Sequence, residues 1–333
     1  MVVESYLYEK LNGEVRCKTC NHRCRIKPDE WGRCNMRKNE DGVLNVHNYG
    51  MASSMAVDPI EKKPLFNFKP GTNVLSFGTI SCSFQCPFCQ NFEIVNADLS
   101  FPFLRELTPQ DVAELTQSNG ADGVAWTYNE PAIWHEFALD SSKLVKEKDK
   151  DYYVVYVTNG YPSKESIDQH VLDAANIDIK AFTERFYNKL CHARLDRVLE
   201  SAEYMHKKGI FLETTYLIIP GENDSPEELK DFAEWVYGLD KRIPVHFSRF
   251  HPMYKMSDKT STPIETLEKA VQITKDVGVE YVYLGNVMGH ELENTFCPNC
   301  GHIVINRGGF SVTRIDLEGK KCPNCGYEQN VIL

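Results

Sequence analysis

The sequence lacks the features of membrane proteins, of secreted proteins and of proteins that bind nucleic acid chiefly through its phosphate backbone. No apolar run approaches the length of a membrane helix, and the polar start Met1–Gly13 lacks the apolar core of a signal peptide. Lys and Arg number 37 against 47 Asp and Glu, and this net charge of −10 argues against binding to a phosphate backbone. We therefore expect a cytoplasmic protein that does not bind a membrane and whose main partner is not nucleic acid.

Cysteine, by contrast, is abundant. Stable disulfides are rare in a reducing compartment, so grouped cysteines there are expected to hold metal. Eleven of the 12 cysteines form three groups: Cys17, Cys20, Cys24 and Cys34; Cys82, Cys86 and Cys89; and Cys297, Cys300, Cys322 and Cys325. The remaining one, Cys191, lies in a stretch with a helical pattern (Tyr187–Lys208), and we interpret it as a small buried apolar residue.

The middle group, Cys82-x3-Cys86-x2-Cys89, is compact enough for one loop to wrap around a single cluster. Three thiolates hold three irons of a [4Fe–4S] cubane and leave the fourth iron without a protein ligand. An open coordination position distinguishes a reactive metal centre from a structural one. The alternative is a zinc knuckle without its fourth ligand. The preceding segment Asn73–Ile80 reads as a strand, and α/β barrels place their chemistry beyond the carboxyl ends of strands.

Strand-like and helix-like segments alternate after the cysteine loop. The predicted strands are Gly123–Thr127, Tyr152–Thr158, Asn176–Lys180, Phe211–Ile219, Val245–Phe250 and Tyr281–Leu284. The predicted helices are Thr108–Gln117, Pro131–Lys146, Lys164–Ala174, Arg194–Lys208, Pro226–Tyr237 and Pro263–Val277. Such alternation indicates parallel βαβ units with right-handed crossovers. We therefore predict an α/β fold, a partial (β/α)6-type TIM-like barrel.

The last cysteine group repeats one motif, Cys-Pro-Asn-Cys-Gly, at Cys297–Gly301 and at Cys322–Gly326. Two such knuckles around a short β segment (Val304–Ile315) predict a zinc ribbon whose four thiolates fill the coordination shell of a structural metal. Because the ribbon lies outside the βαβ series, we expect the barrel to keep its strands without it.

The N-terminal group, Cys17-x2-Cys20-x3-Cys24-x9-Cys34, leaves the metal open. Four thiolates bind zinc, one iron or an auxiliary [4Fe–4S] cluster, so both a structural metal and a second cluster remain as alternatives. The predicted domains are a Cys-rich metal-binding segment (1–70), a barrel (71–290) and the zinc ribbon (291–333).

The Cys-x3-Cys-x2-Cys motif, with Phe88 before its last cysteine, resembles the radical S-adenosylmethionine (SAM) superfamily. With the N-terminal cysteines, the segment Asp58–Leu65 and the ribbon, the arrangement resembles the AmmeMemoRadiSam-system radical enzymes, which are similar to pyruvate formate-lyase activating enzyme. The resemblance implies SAM as cosubstrate, an external electron donor and Memo-like and AMMECR-like partner proteins. It also implies reductive cleavage of SAM to a 5′-deoxyadenosyl radical that abstracts hydrogen from a protein or peptide.

The same resemblance assigns the SAM-binding residues. Glu130, in Thr-Tyr-Asn-Glu-Pro, corresponds to the acid of a Gly-Gly-Glu-Pro-like motif that binds the amino group of SAM, while Tyr128 and Asn129 replace the glycines. Strand ends near the methionine carboxylate and a cation supply Thr158, Asn159, Asp178 and Lys180, and His251 matches a residue near the nucleoside. Val157 replaces an expected Asp. The alternatives are a helix-capping role for Glu130 and a solvated loop position for His251.

Two other functions compete with modification of a protein or peptide. One is radical modification of RNA or a small molecule. The other is a scaffold that recruits a partner through its metal-binding modules and has no turnover. A vacant iron backed by Glu130, Asp178 and His251 favours catalysis, because a scaffold has no use for such a site.

Overall fold

The computed structural model describes residues 1–333. In chain order its strands are β1 (Val3–Glu4), β2 (Tyr8–Leu11), β3 (Glu14–Cys17), β4 (Arg25–Ile26), β5 (Arg37–Glu40), β6 (Val43–Val46), β7 (Met51–Ala52), β8 (Ser54–Pro59), β9 (Asn73–Gly78), β10 (Arg105–Glu106), β11 (Gly123–Trp126), β12 (Tyr153–Thr158), β13 (Ala174–Asp178), β14 (Phe211–Ile218), β15 (Val245–Arg249), β16 (Val282–Gly285), β17 (Thr295–Phe296), β18 (Ile303–Gly308) and β19 (Ser311–Ile315).

The α-helices are α1 (Phe92–Val95), α2 (Pro109–Ser118), α3 (His135–Lys148), α4 (Lys164–Gln169), α5 (Glu184–Phe186), α6 (Leu195–Lys207), α7 (Pro226–Asp240) and α8 (Ile264–Val277). Short 3-10 turns lie at Ile60–Lys62, Pro131–Trp134, Tyr254–Met256 and Glu291–Glu293, and a π-helical turn lies at Tyr187–Cys191. None of these helices is both long and apolar enough to cross a membrane.

The centre of the fold is an eight-stranded sheet with the order β16-β15-β14-β13-β12-β11-β9-β8. Its strands are parallel except β8, which pairs antiparallel with β9. All seven strands predicted around the cysteine loop and beyond it belong to this sheet, so the α/β class is confirmed. The sheet also takes in Ser54–Pro59, which lies within the segment 1–70.

Side-chain caps mark the N-termini of four of the eight α-helices, namely α2, α4, α5 and α7. Thr108 forms a capping box with Asp111 ahead of α2, and Ser225 caps α7 by accepting a hydrogen bond from the Glu228 N–H. Two predicted helices are shorter than expected. The segment predicted as Lys164–Ala174 leaves the helix after Gln169, because Ala174 already pairs in β13. The helical pattern of Tyr187–Lys208 is interrupted at His192, whose φ of 54° is left-handed.

The two faces of the sheet are covered differently. The helices cover one face, where side chains such as Phe77, Trp126 and Tyr156 belong to a core of 50 buried residues. The other face, which we call the inner face, packs against the chain segment Ile60–Phe68 through a smaller apolar cluster. Successive side chains of a strand point to opposite faces of the sheet, so each strand contributes to both clusters. The inner face is therefore filled by protein rather than open.

A buried carboxylate, Glu213 on β14, holds that segment in place. It accepts hydrogen bonds from the backbone N–H groups of Phe66 and Asn67, at 3.0 and 2.7 Å. His246 lies 2.7 Å from the same carboxylate, and both side chains are almost fully buried. A charged group buried this deeply is stable only with such partners, so the segment is fixed to the sheet by backbone donors.

The ribbon packs against the same segment. Strands β17, β18 and β19 form a three-stranded antiparallel sheet, which includes the predicted β segment. Arg307 of β18 is completely buried, lies 3.5 Å from the Glu61 carboxylate and donates a hydrogen bond of 2.6 Å to the Phe66 carbonyl. Its guanidinium also lies 4.4 Å from the centre of the Phe66 ring. The ribbon therefore contacts the segment that covers the inner face, and survival of the barrel strands without the ribbon stays a prediction.

The N-terminal segment is attached near the opposite end of the strands. Its strands form two small antiparallel sheets, β1-β6-β5 and β2-β3-β4. Arg37 is buried and makes a bidentate ion pair with Glu136 of α3, with N–O distances of 2.8 and 2.7 Å. The Ser163 N–H donates to the Thr19 carbonyl and the Asn21 N–H to the Tyr161 carbonyl. These contacts fix the N-terminal cysteines against the loop that follows β12.

We expect Arg307→Ala to lower the free energy of unfolding by about 3–5 kcal/mol, because it leaves the Glu61 carboxylate buried without a cation. Urea denaturation followed by circular dichroism measures the change. Arg314→Ala on the neighbouring strand is the matched control, since Arg314 is 70% exposed, and it should change the value by no more than about 0.5 kcal/mol. Equal stabilities for the two variants would show that Arg307 does not anchor the ribbon.

Candidate active site

The loop that carries Cys82, Cys86 and Cys89 begins directly after β9, beyond its carboxyl end. Ser81, with φ of 67°, turns the chain out of the strand. Two buried aromatic side chains then anchor the loop: Phe84 packs edge-on against Tyr161, and Phe88 packs against Phe186. The loop is thus fixed by packing at two points between its cysteines.

All three thiols line one open pocket of about 780 Å³. Its walls come from the cysteine loop, from the segment Val95–Ser100, from Trp31 and Arg33 of the N-terminal segment, and from Tyr254 and Lys255 after β15. The three sulfur atoms do not all lie within 4.8 Å of one another, as the ligands of a single ion would. The cysteines whose sulfur atoms do so are Cys297, Cys300, Cys322 and Cys325. Three separated thiols facing a large open space fit a cluster with a vacant iron.

Burial raises the pKa of these thiols. The pKa of Cys89 rises to about 11, and that of Cys82 rises further because burial is reinforced by the charge of Glu130. The pKa of Cys86 rises chiefly through a hydrogen bond with Cys191 and then through burial. The loop without metal therefore carries protonated thiols, and iron binding must displace their protons.

Cys191 is buried, as the sequence indicated, but its surroundings could not be predicted. The π-helical turn Tyr187–Cys191 places its thiol beside Cys86, and its carbonyl accepts a hydrogen bond of 3.3 Å from the Gln85 N–H. No spacing in the sequence links position 191 to the loop at 82–89. The contact arises only from the tertiary fold.

The fully buried Glu130 carboxylate joins two strand ends to the cysteine loop. It accepts hydrogen bonds from the N–H of Ala132 at 2.9 Å, from the N–H of Asn159 at 2.8 Å and from the Thr158 hydroxyl at 2.9 Å. The Asn159 amide in turn donates to the Ser83 hydroxyl at 3.0 Å and lies 3.8 Å from the Cys82 sulfur. Three of the predicted residues, Glu130, Thr158 and Asn159, are thus brought together beside the cluster loop.

Glu130 does cap a helical turn, which was one of the two roles that the sequence left open for it. The carboxylate caps the 3-10 turn that begins at Pro131, and burial raises its pKa to about 7 although the N–H groups of Ala132 and Asn159 lower it. Three donors leave part of its acceptor capacity free. Contact with the SAM ammonium stays a prediction, and it is compatible with the hydrogen bonds that are present.

Tyr128, which stands where the family motif has a glycine, has a left-handed backbone conformation. Its φ is 69°, in the left-handed region that favours glycine. The Tyr128 hydroxyl donates a hydrogen bond of 2.9 Å to Asp58, and the buried Lys63 ammonium lies 4.8 Å from the centre of its ring. Asn129 donates to the Ser81 carbonyl at 2.7 Å. The side chains of Tyr128 and Asn129 therefore hold this turn to the strand ends around it.

Asp178 and Lys180 form an ion pair at the end of β13, with a distance of 2.6 Å between the Lys180 Nζ and the Asp178 carboxylate. Burial opposes the positive charge of Lys180, but Asp178 and the Cys86 sulfur raise its pKa above the ordinary value. The pair therefore acts electrostatically on the cysteine loop. Val157 is apolar, so it supplies no second carboxylate to the cation site expected near Asp178.

His251 is exposed on the loop after β15 and is not among the residues that line the pocket. Tyr254 and Lys255, three and four residues later, do line it. The Lys255 N–H donates to the Pro87 carbonyl of the cysteine loop at 3.1 Å. Contact of His251 with the nucleoside stays a prediction, whereas Tyr254 and Lys255 were missed because their loop shows no motif.

The two four-cysteine groups differ in geometry. In the ribbon all four sulfurs of Cys297, Cys300, Cys322 and Cys325 lie within 4.8 Å of one another, with Cys297–Cys325 at 3.6 Å and Cys300–Cys322 at 3.7 Å. Tetrahedral zinc with Zn–S bonds of about 2.3 Å requires sulfurs about 3.8 Å apart. The N-terminal cysteines Cys17, Cys20, Cys24 and Cys34 line a single cavity but are not gathered in this way.

Comparison with known proteins agrees with this site. The Radical SAM superfamily model matches residues 78–236. The uncharacterised protein MJ0808 of Methanocaldococcus jannaschii is 44% identical over 94% of both chains. The pyruvate formate-lyase 1-activating enzyme of Escherichia coli is 22% identical over 64% of this chain and 93% of its own. A radical SAM methyltransferase from Sphaerobacter thermophilus has the same fold, with a TM-score of 0.51 and 16% identity over 65% of this chain and 67% of its own.

The matched residues 78–236 begin at the end of β9 and contain the three-cysteine loop, the buried Glu130 carboxylate and the Asp178–Lys180 ion pair. Sequence kinship and the placement of the three thiols therefore lead to one conclusion: the chain belongs to the radical SAM superfamily and is a radical SAM enzyme.

Proposed function

We propose that Cys82, Cys86 and Cys89 hold a [4Fe–4S] cluster whose fourth iron chelates SAM. When bound, the cluster supplies one electron from an external donor to the sulfonium, so that the bond to the 5′ carbon breaks and yields methionine and a 5′-deoxyadenosyl radical. The observation that carries this proposal is the contrast among the cysteine groups. The group with three thiols faces an open pocket of about 780 Å³, whereas each of the other two brings four thiols to one place.

We propose that residues at the strand ends beside the cysteine loop contribute to SAM binding. Glu130 is the proposed partner of the SAM ammonium; it is buried and does not itself line the pocket, and hydrogen bonds from Thr158 and Asn159 hold its carboxylate at the strand ends. Asp178 and Lys180 set the charge beside Cys86. We propose that the sheet curves as the partial (β/α)6-type barrel expected for such a site. The sulfur spacing of 3.6 and 3.7 Å supports structural zinc in the ribbon.

The substrate that we propose is a protein or peptide. Segment Ile60–Phe68 fills the inner face of the sheet, so a substrate reaches the site from the mouth of the pocket. Two exposed apolar side chains line the pocket, Trp31 at 41% exposed and Leu99 at 38%, and Phe103, four residues after Leu99 in the chain, is 73% exposed. Apolar groups concentrated around an active site are typical of surfaces that bind macromolecules. The kinship with an enzyme named for activating pyruvate formate-lyase supports the same class.

Memo-like and AMMECR-like proteins are the partners to test first. With such a protein under anaerobic conditions, we expect additional 5′-deoxyadenosine and a change in the partner's mass. Phe103→Asp should lower this partner-dependent rate about 10- to 150-fold and leave cleavage without partner unchanged, since burial of one Phe contributes about 1.5–3 kcal/mol. Ile264→Asp on α8, 37% exposed, is the control. Stimulation by RNA or a small molecule instead would contradict a protein substrate.

Replacing Cys82, Cys86 and Cys89 together with Ala should abolish formation of 5′-deoxyadenosine from SAM under dithionite, because the vacant iron is lost with the cluster. Chromatography of the quenched reaction measures the product. Cys191→Ser is the matched control: its thiol lies beside Cys86 but is not proposed as a ligand, so cleavage should persist. Loss of cleavage only in the control would move the chemistry to Cys191.

Glu130→Gln should weaken SAM binding about 10- to 150-fold, since a hydrogen bond to a charged group contributes about 1.5–3 kcal/mol. Equilibrium binding to the reconstituted protein measures the change, and iron content checks that the loop still folds. Glu93→Gln, an exposed acid on α1 close to the cysteine loop, should bind SAM as the parent does. An unchanged isotherm for Glu130→Gln would limit Glu130 to capping the turn at Pro131.

A further inference from the structure

A second open pocket, which we call the basic pocket, lies beside the three-cysteine loop. Its volume is about 500 Å³. Its walls come from the N-terminal segment, from the loop between β12 and α4, and from the stretch that leads out of the π-helical turn into α6. Glu200 is the one acid that lines it, against six basic residues: His22, Arg23, Lys164, His192, Arg194 and Arg197.

The cations of the basic pocket are only loosely neutralised. The three arginines form surface ion pairs, Arg23 with Glu165, Arg194 with Asp196 and Arg197 with Glu200. All six side chains are more than a third exposed, and such pairs contribute about 0–1 kcal/mol each, so they exchange partners readily. Lys164 has no acid partner, and its ammonium lies 5.6 Å from the centre of the Tyr204 ring. The pocket therefore has an excess of cations in a chain whose net charge is −10.

The basic pocket adjoins the three-cysteine loop at two points. Nε2 of His22 lies 2.8 Å from the Ser83 carbonyl. On the other wall, His192 directly follows Cys191, whose carbonyl accepts a hydrogen bond of 3.3 Å from the Gln85 N–H. Both contacts fall between the first two cysteines of the loop. A single residue, His22, thus lies between the basic pocket and the backbone that carries the proposed cluster ligands.

The loop separates the basic pocket from the pocket that its own cysteines line. No residue lines both pockets. Phe84 and Gln85 line the cysteine pocket, while their other contacts reach Tyr161 and Cys191 at the wall of the basic pocket. A protein that docks at the basic pocket therefore approaches the loop from its outer side. It leaves the cysteine pocket open for the substrate.

Reductive cleavage of SAM takes one electron from outside the chain. A chain with a net charge of −10 repels an acidic carrier over most of its surface, so encounter is directed to the place where cations are concentrated. The same cations would attract the phosphate backbone of RNA. An RNA substrate, however, has to enter the cysteine pocket, which lies on the other side of the loop. The position of the basic pocket therefore favours an electron carrier.

We infer that the basic pocket is the docking surface for an acidic one-electron carrier protein. The carrier loses one electron, which the cluster proposed at Cys82, Cys86 and Cys89 gains, and no proton or atom is transferred. Lys164 and the arginines attract the carrier, and the walls of the pocket hold it next to the loop. This inference rests on the proposed function, but docking can be measured without turnover.

The test is binding of a plant-type [2Fe–2S] ferredoxin of net negative charge to the reconstituted full chain, followed by biolayer interferometry. Lys164→Glu with Arg194→Glu should lower the association rate constant about tenfold or more, because electrostatic steering accounts for factors of this size. An acid at these positions, where α4 and α6 begin, is compatible with the helices. Raising the ionic strength from about 0.05 M to about 0.3 M should slow association more for the parent than for the variant.

Lys230→Glu with Arg314→Glu is the matched control. It makes the same change in charge on exposed side chains of α7 and β19, outside the basic pocket. Because distant exposed charges are screened by salt, the control should stay within about twofold of the parent. Equal association rate constants for the parent and for Lys164→Glu with Arg194→Glu would overturn the inference, and so would failure of the parent to bind the ferredoxin.

Turnover separates this inference from the proposed function. With dithionite, a small reductant that needs no docking surface, Lys164→Glu with Arg194→Glu should form 5′-deoxyadenosine at the parental rate. With limiting reduced ferredoxin its rate should fall about tenfold or more. Pocket-dependent ferredoxin binding in a chain that cleaves no SAM would support the docking surface and contradict the proposed function. Loss of binding to a single-stranded RNA probe with ferredoxin binding unchanged would assign the pocket to RNA and overturn the inference.

Discussion

The active site depends on one buried carboxylate. Glu130 receives hydrogen bonds from the turn that follows it and from the end of β12, and through Asn159 it is connected to Ser83 and Cys82. A carboxylate buried at this depth is stable only while its hydrogen-bond donors are in place. The ends of two strands and the cysteine loop are therefore fixed together, which positions three thiols for a cluster before any metal arrives.

The sequence was sufficient for the strands, the helices and the grouping of the cysteines, because each has a local signature. The seven parallel strands are short apolar runs, and the helices carry caps such as Thr108 and Ser225. The tertiary contacts had no such signature. Cys191 reaches Cys86 through a π-helical turn, and Tyr254 and Lys255 reach the pocket through a loop without a motif. The filled inner face depends on Glu213, which reads in the sequence as an isolated acid within a strand.

Departures from a family motif were equally hard to interpret from the sequence. Tyr128 and Asn129 replace two glycines of that motif, and the sequence did not indicate which backbone conformation they adopt. The backbone at position 128 is left-handed, and the Tyr128 hydroxyl donates a hydrogen bond to Asp58 on β8. The conformation normally supplied by glycine is here maintained by side-chain contacts, at a cost of about 1–3 kcal/mol of local strain.

The burial of Arg307 against Glu61 has a consequence for biosynthesis. The two residues are 246 positions apart, so Glu61 is synthesised long before its cation emerges from the ribosome. Until then the Glu61 carboxylate has the Gly71 N–H as a partner and lacks its cation. The contact between the segment Ile60–Phe68 and the ribbon therefore forms only after β18 has been synthesised.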